Sequence, residues 1–188
     1  MQKKQRFTVK GIFRVLLGVI SIGLILVGIY LLSLLYLPKY YHYVNPPNKE
    51  ITSQNKVIIN KQGINANIYE GGAEVLENGA WHQYPERGNP ETGGNFILAA
   101  HSFFWGYTPA QVINRSFFYN LNDVKIGEEV NIRYQSKDYV YIVSDKFQIT
   151  PNDTSILAPS DEAKMTIYTC TVGGSADGRV VVIAKPKN

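Results

Sequence analysis

The 188-residue chain carries 19 Lys+Arg against 15 Asp+Glu, a formal net charge of +4, and a single cysteine. One cysteine excludes an intramolecular disulfide. The positive balance is local: from Lys56 onward there are 12 Lys+Arg and 14 Asp+Glu, so the folded part is slightly acidic and its electrostatics speak against a nucleic-acid partner.

Residues 1–14 hold Lys3, Lys4, Arg6, Lys10 and Arg14 with no acidic residue among them, and residues 15–37 contain no charged side chain. At ~1.5 Å per residue the second stretch exceeds the ~30 Å hydrocarbon core of a bilayer, and it is longer than the ~7–15 residues of a signal-peptide apolar region. No small-residue cleavage site follows Leu37; the chain continues Pro38-Lys39-Tyr40-Tyr41-His42-Tyr43, an aromatic and basic cluster suited to a membrane interface. The expectation is one uncleaved transmembrane helix over 15–37. The flanking positive charge places residues 1–14 in the cytoplasm and the remainder outside the cell. Residues 38–55, with Pro46-Pro47 at their centre, are expected to be an extracellular spacer.

From Lys56 the pattern becomes one of short strands. Residues 57–59 and 64–69 are separated by Gly63 and closed by Gly71-Gly72. Residues 73–81 allow one or two helical turns. Pro85, Gly88, Pro90, Gly93 and Gly94 crowd residues 85–94 and predict no regular structure there. The continuous apolar run 96–100 reads as a buried strand with His101 at its end. A short helix is expected over 117–121. Residues 129–134 and 139–150 form a hairpin turning at Ser136-Lys137-Asp138, and two further strand runs end the chain, one reaching Cys170 and one opening at Arg179. Strands outnumber helices, and turn signals recur at short spacing. The domain of residues 56–188 is therefore expected to be mostly β, an antiparallel barrel or sandwich.

Three residues with complementary chemistry fall at strand ends: His101, Cys170 and Arg179. A free thiol of pKa ~8.5 is only a few per cent ionised at neutral pH, so a nucleophilic cysteine needs an imidazole to move its proton. A guanidinium can hold a carbonyl or a developing oxyanion. Each residue also has a structural reading. Cys170 can be a buried small hydrophobe and Arg179 an ordinary post-turn arginine. Of the other histidines, His42 sits beside the membrane and His82 sits in a loop-like stretch. The chain order His, Cys, Arg does not fit a papain-type enzyme.

Resemblance goes further than spacing. Thr166-Ile167-Tyr168-Thr169-Cys170 resembles the sortase signature Thr-Leu-x-Thr-Cys, with Ile167 in place of Leu. Leu98-Ala99-Ala100-His101 is similar to that family's strand ending Ala-Gly-His, with Ala100 in place of Gly. Arg179-Val180-Val181-Val182 matches its final arginine-led strand. Gly79-Ala80-Trp81-His82, Gly94-Asn95, Phe118-Tyr119-Asn120-Leu121 and residues 124–128 extend the likeness across about 57–184.

The resemblance implies an eight-stranded sortase-like β-barrel with short helices behind one N-terminal transmembrane helix. It implies a cysteine transpeptidase that cleaves a Leu-Pro-x-Thr-Gly-like sorting signal between Thr and Gly through a thioacyl-enzyme. In that reading Cys170 is the nucleophile, His101 the acid and base, Arg179 the backbone or oxyanion ligand, and Ala99 and Thr169 substrate contacts. No cofactor is implied. The implied partners are secreted proteins bearing a C-terminal sorting signal and an amine of the cell wall or of a pilin. The implied location is a single-pass membrane protein with its catalytic domain outside. Two other classes compete. An L,D-transpeptidase would carry Ser-x-Gly-Cys-x-Arg about its nucleophile, which this sequence lacks. A tethered binding domain would leave Cys170 buried and inert.

Overall fold

The computed structural model describes residues 9–44, 55–171 and 173–187. The first helix, α1, spans Val9–Val44. Its run Lys10–Tyr41 is long and apolar enough to cross a membrane. The helix continues past Leu37, through Pro38, so the first turns of the expected spacer are helical. Residues 1–8 and 45–54, where the remaining basic residues before Lys10 and the Pro46-Pro47 pair fall, lie outside the described residues.

The strands are β1 (Lys56–Ile59), β2 (Ile64–Tyr69), β3 (Ala80–Gln83), β4 (Gly88–Asn89), β5 (Gly93–Ala99), β6 (Glu129–Tyr134), β7 (Lys137–Ile149), β8 (Lys164–Thr171) and β9 (Gly174–Pro186). Their order is β3-β2-β1-β6-β7-β9-β8-β5, and β3 also pairs with β5. That last pairing closes an eight-stranded barrel, as expected, and closure removes the exposed edges that an open sheet would present. The two-residue β4 stands outside the ring, paired to the start of β5. The barrel is not wholly antiparallel, because β2–β3 and β5–β8 run parallel.

Alternation along each strand separates core from surface. Val57, Ile59, Ile64, Ala66 and Ile68 face inward with Phe96 and Leu98 of β5, Ala100 just past it, Val130 and Ile132 of β6, Met165 and Ile167 of β8, and Val182 and Ala184 of β9. Each is less than a tenth exposed. The β6–β7 turn is a two-residue one. Tyr134 pairs with Lys137, leaving Gln135 and Ser136 with φ of 49° and 65°, one position earlier than the sequence indicates.

Residues 85–94 are more ordered than their glycines and prolines suggest. Pro85–Arg87 form a 3-10 turn, after which Gly88 and Asn89 pair back on Gly93 and Gly94. The glycines permit this close approach. Gly94 has φ +78°, and a Cβ there would stand 2.4 Å from the Arg87 carbonyl oxygen. A second helix, α2 (Pro109–Arg115), replaces the one expected at 117–121. Its start is set by Thr108, whose hydroxyl accepts from the Gln111 N–H, and by Pro109 in the first turn. Residues 117–121 form tight turns instead, leading into a 3-10 turn at Leu121–Asp123.

Candidate active site

The candidate residues sit where β5, β8 and β9 lie side by side. The parallel β5–β8 register runs from Asn95 opposite Lys164 to Ala99 opposite Tyr168, and the Ala100 N–H donates to the Tyr168 carbonyl at 3.4 Å. Continued by two residues, that register sets His101 beside Cys170. On the other side, the antiparallel β8–β9 register pairs Cys170 directly with Arg179. The register thus aligns His101, just past the end of β5, in a row with Cys170 of β8 and Arg179 of β9, Cys170 in the middle and the strands ~4.8 Å apart.

The same alternation decides which way the row faces. Because Ala100, Ile167 and Val182 belong to the core, the positions in register with Cys170 project from the barrel's outer face. Cys170 is a free, half-buried thiol. Just past it the β8–β9 register shifts, an irregularity of the kind that re-aims side chains beside sites. Arg179 lies five residues inside β9 rather than at its start. Its Nη1 donates to the Ser175 carbonyl at 2.8 Å and the Gly178 carbonyl at 2.9 Å, which fixes the guanidinium against the β8–β9 connection.

His101 is held from two sides. Its carbonyl accepts from the Phe118 N–H at 2.9 Å, and its ring lies 5.9 Å from that of Phe104. Its Nε2 is 3.6 Å from Glu77 Oε1, within ion-pair range but beyond a hydrogen bond. Glu77 also receives Arg115 Nη1 at 3.0 Å, and Arg115 in turn lies over the Phe104 ring. Glu77 comes from the 3-10 turn Ala73–Glu77, far from His101 in sequence, and no motif pointed to it.

Ala99 and Thr169 are both close to the row but differ in character. Ala99 points to the outer face, between Trp81 of β3 and Tyr168 of β8, but is itself covered to 5% exposure. Thr169 points the other way, is 3% exposed, and donates its hydroxyl to the Ala100 carbonyl at 2.7 Å. That bond ties β8 to the end of β5 immediately before His101 and Cys170. Burial pushes the Tyr168 phenol up to about 12, so it stays neutral, and it donates to Gln83 Oε1.

His82 is a different kind of residue. It is fully buried, with Nδ1 3.2 Å from Glu70 Oε1 and Nε2 3.1 Å from the Gly88 carbonyl, and its ring packs edge-on to Phe96 at 4.7 Å. It clips the β4 turn to the barrel and has no path to the outer face.

Asn95 sits toward the other end of β5 from the row, opposite Lys164. Its Nδ2 donates to the carbonyls of Ile156 and Ala158 at 3.0 and 2.8 Å, and its Oδ1 accepts from Thr166 Oγ1 at 2.7 Å. These bonds fasten the connection between β7 and β8 over the β5–β8 face. Asn95→Ala would strand two carbonyls and a hydroxyl, and is expected to cost ~2–3 kcal/mol of stability. Urea unfolding of the variant beside the parent measures this.

The Sortase domain model matches residues 57–187, the greater part of the chain. The chain belongs to the sortase family. It is 28% identical over 89 residues to putative sortase YwpE of Bacillus subtilis (strain 168), an alignment covering 47% of this chain and 79% of that protein. Among solved structures it is similar to the Sortase D5 transpeptidase of Clostridium perfringens, with 28% identity and a TM-score of 0.59 over 80% of this chain and 87% of that one. A lid mutant of sortase A from Corynebacterium diphtheriae is similar at 27% identity and a TM-score of 0.60, covering 79% and 77% of the two chains.

Family and fold together make this sortase a cysteine transpeptidase. The sequence picks out His101, Cys170 and Arg179 by their chemistry and by the strands that carry them, and the register brings those strands side by side. Glu77 and Arg115 were missed, because Glu77 approaches His101, and Arg115 approaches Glu77 and Phe104, through tertiary packing alone. Asn95 was visible as part of Gly94-Asn95, but its hydrogen bonds to residues some sixty positions away were not.

Proposed function

We propose that this sortase cleaves a Leu-Pro-x-Thr-Gly-like sorting signal between Thr and Gly and joins the new Thr carboxyl end to an amine of the cell wall or of a pilin. The observation that carries this reading is the row His101–Cys170–Arg179, in which the thiol has an imidazole on one side and a guanidinium on the other.

The Cys170 thiolate attacks the Thr carbonyl carbon, forming a C–S bond while the carbonyl electrons move onto oxygen. Arg179 donates to that oxyanion or to the adjoining signal backbone. Its Nε and Nη2 make no hydrogen bond to a described residue. Collapse of the tetrahedral species breaks the C–N bond, and His101 delivers its proton to the departing glycine nitrogen. The acceptor amine then attacks the thioester carbonyl, gives a proton to His101, and releases Cys170 as thiolate. Ala99 lines the outer face along which the signal lies, and Thr169 contributes to substrate contact through the strand end it fixes. Glu77 orients the imidazole. Glu77→Gln is expected to lower kcat by ~3–10-fold with peptide KM little changed, since one partly exposed ion pair is worth ~1 kcal/mol. Steady-state kinetics on a fluorogenic signal peptide separates the two constants.

The domain boundaries follow the same reading: a cytoplasmic basic segment to residue 14, a transmembrane helix over 15–37, a spacer to 55, and an extracellular catalytic domain over 56–188. An enzyme so tethered meets secreted substrates that are themselves held by a membrane tail. The reading is tested by incubating the full-length protein with signal peptides and a free amine. A product in which the peptide, cut after Thr, carries the amine supports it. Absence of both cleavage and transfer across a peptide library overturns it.

A further inference from the structure

The segment directly after His101 is aromatic and open to solvent. Trp105 is 73% exposed and Tyr107 89% exposed, the two barest large apolar side chains of the described catalytic domain, ahead of Ile126 at 66%. Single exposed aromatics need no explanation, but these two sit on a loop that is bonded to α1.

Three contacts join the loop and its neighbours to the last turns of that helix. The Tyr30 hydroxyl donates to the Tyr107 carbonyl. The Tyr119 hydroxyl donates to the Leu35 carbonyl at 2.7 Å, and Lys39 Nζ lies 3.0 Å from Asp123 Oδ2. Leu34 is buried against the domain at 6% exposure, while the turns before Tyr30 are bare all round. Phe103 links the two ends of this contact: its ring is 5.2 Å from Trp105 and 6.0 Å from Tyr119.

Depth follows from length. About 20 helical residues fill the hydrocarbon layer, so of the transmembrane run 15–37 the turns up to about Leu34 already suffice to cross it. Tyr30 then lies ~6 Å inside that end. A loop hydrogen-bonded to Tyr30 cannot stand clear of the bilayer. Trp and Tyr are the side chains that favour the water–lipid boundary, where an apolar ring and a polar edge are both satisfied.

We propose that Phe103-Phe104-Trp105-Gly106-Tyr107 is a membrane-docking surface, with Trp105 and Tyr107 seated at the boundary between the outer-leaflet acyl chains and headgroups and the His101 edge of the barrel held down against the lipid. The proposal rests on the membrane-anchored reading of α1. It places the row His101–Cys170–Arg179 near the height at which a substrate retained by its own membrane tail leaves the bilayer.

The test uses the full-length protein in vesicles of phosphatidylcholine and phosphatidylglycerol, with lipids brominated on the acyl chain near the headgroup as quencher. The chain has two tryptophans, so Trp81→Phe leaves Trp105 as the reporter and Trp105→Phe leaves Trp81 as the control. Trp105 emission is expected to fall by about half or more in brominated vesicles and to resist aqueous iodide, while the Trp81 signal is indifferent to the lipid. Should Trp81→Phe not fold, the difference between parent and Trp105→Phe supplies the same signal. Trp105 emission open to iodide and blind to bromine, in protein that floats with the vesicles and resists alkaline extraction, overturns the docking surface alone. Failure to float overturns the anchor and the docking together. Cleavage of a soluble signal peptide by the same vesicles reports on the transpeptidase reading separately.

Discussion

Cys170→Ala is expected to abolish both cleavage and transfer of a signal peptide, a loss of at least ~10³-fold, because it removes the chain's one thiol. The fold should survive. Cys170 is half-buried on the outer face of β8, outside the cluster of Met165, Ile167 and Val182 that fills the barrel, and alanine keeps the strand's backbone pairing with Arg179. The variant should therefore unfold near the parent's midpoint while turning over nothing. Retained turnover in a protein of unchanged stability would remove Cys170 from the mechanism.

The second large effect separates the two histidines of the domain. His101→Ala is expected to reduce transfer by ~10²–10⁴-fold with little change in stability, since its ring is partly exposed and removing a general acid and base costs about that much. His82→Ala is expected to do the reverse. It leaves the Gly88 carbonyl unpaired, strips Glu70 of its Nδ1 partner and opens a cavity beside Phe96. Together these are worth ~2–4 kcal/mol of stability. Its activity at a temperature well below the melt should stay within an order of magnitude of the parent. Equal losses of activity in the two folded variants would show that the row has been assigned the wrong histidine.

These contrasts explain how much of the molecule was legible beforehand. Strand periodicity is a local signal, so β1, β2, β5, β6, β8 and the register-setting apolar positions could be read directly. The row itself was foreshadowed by three strand-end residues of fitting chemistry. Its order across the sheet needed the parallel β5–β8 pairing, which no local pattern encodes. Glycine and proline misled at residues 85–94, where they serve a close backbone approach rather than an irregular loop. At α2 the cue was present but small, a Thr108-Pro109 start in a stretch dominated by aromatics. Glu77 was illegible in principle, because its relation to His101 depends on closure of β3 against β5. So too were the contacts of α1, since an apolar helix announces a membrane but not which part of the domain packs against it.

The most direct test of the central claim is mass spectrometry of the full-length protein quenched in acid after mixing with a signal-peptide library and no added amine. The account predicts a thioester adduct on Cys170 whose mass is that of the peptide up to and including its Thr, discharged when an amine is then supplied at neutral pH. Peptide cleavage with no adduct, or with the acyl group on a residue other than Cys170, would contradict it.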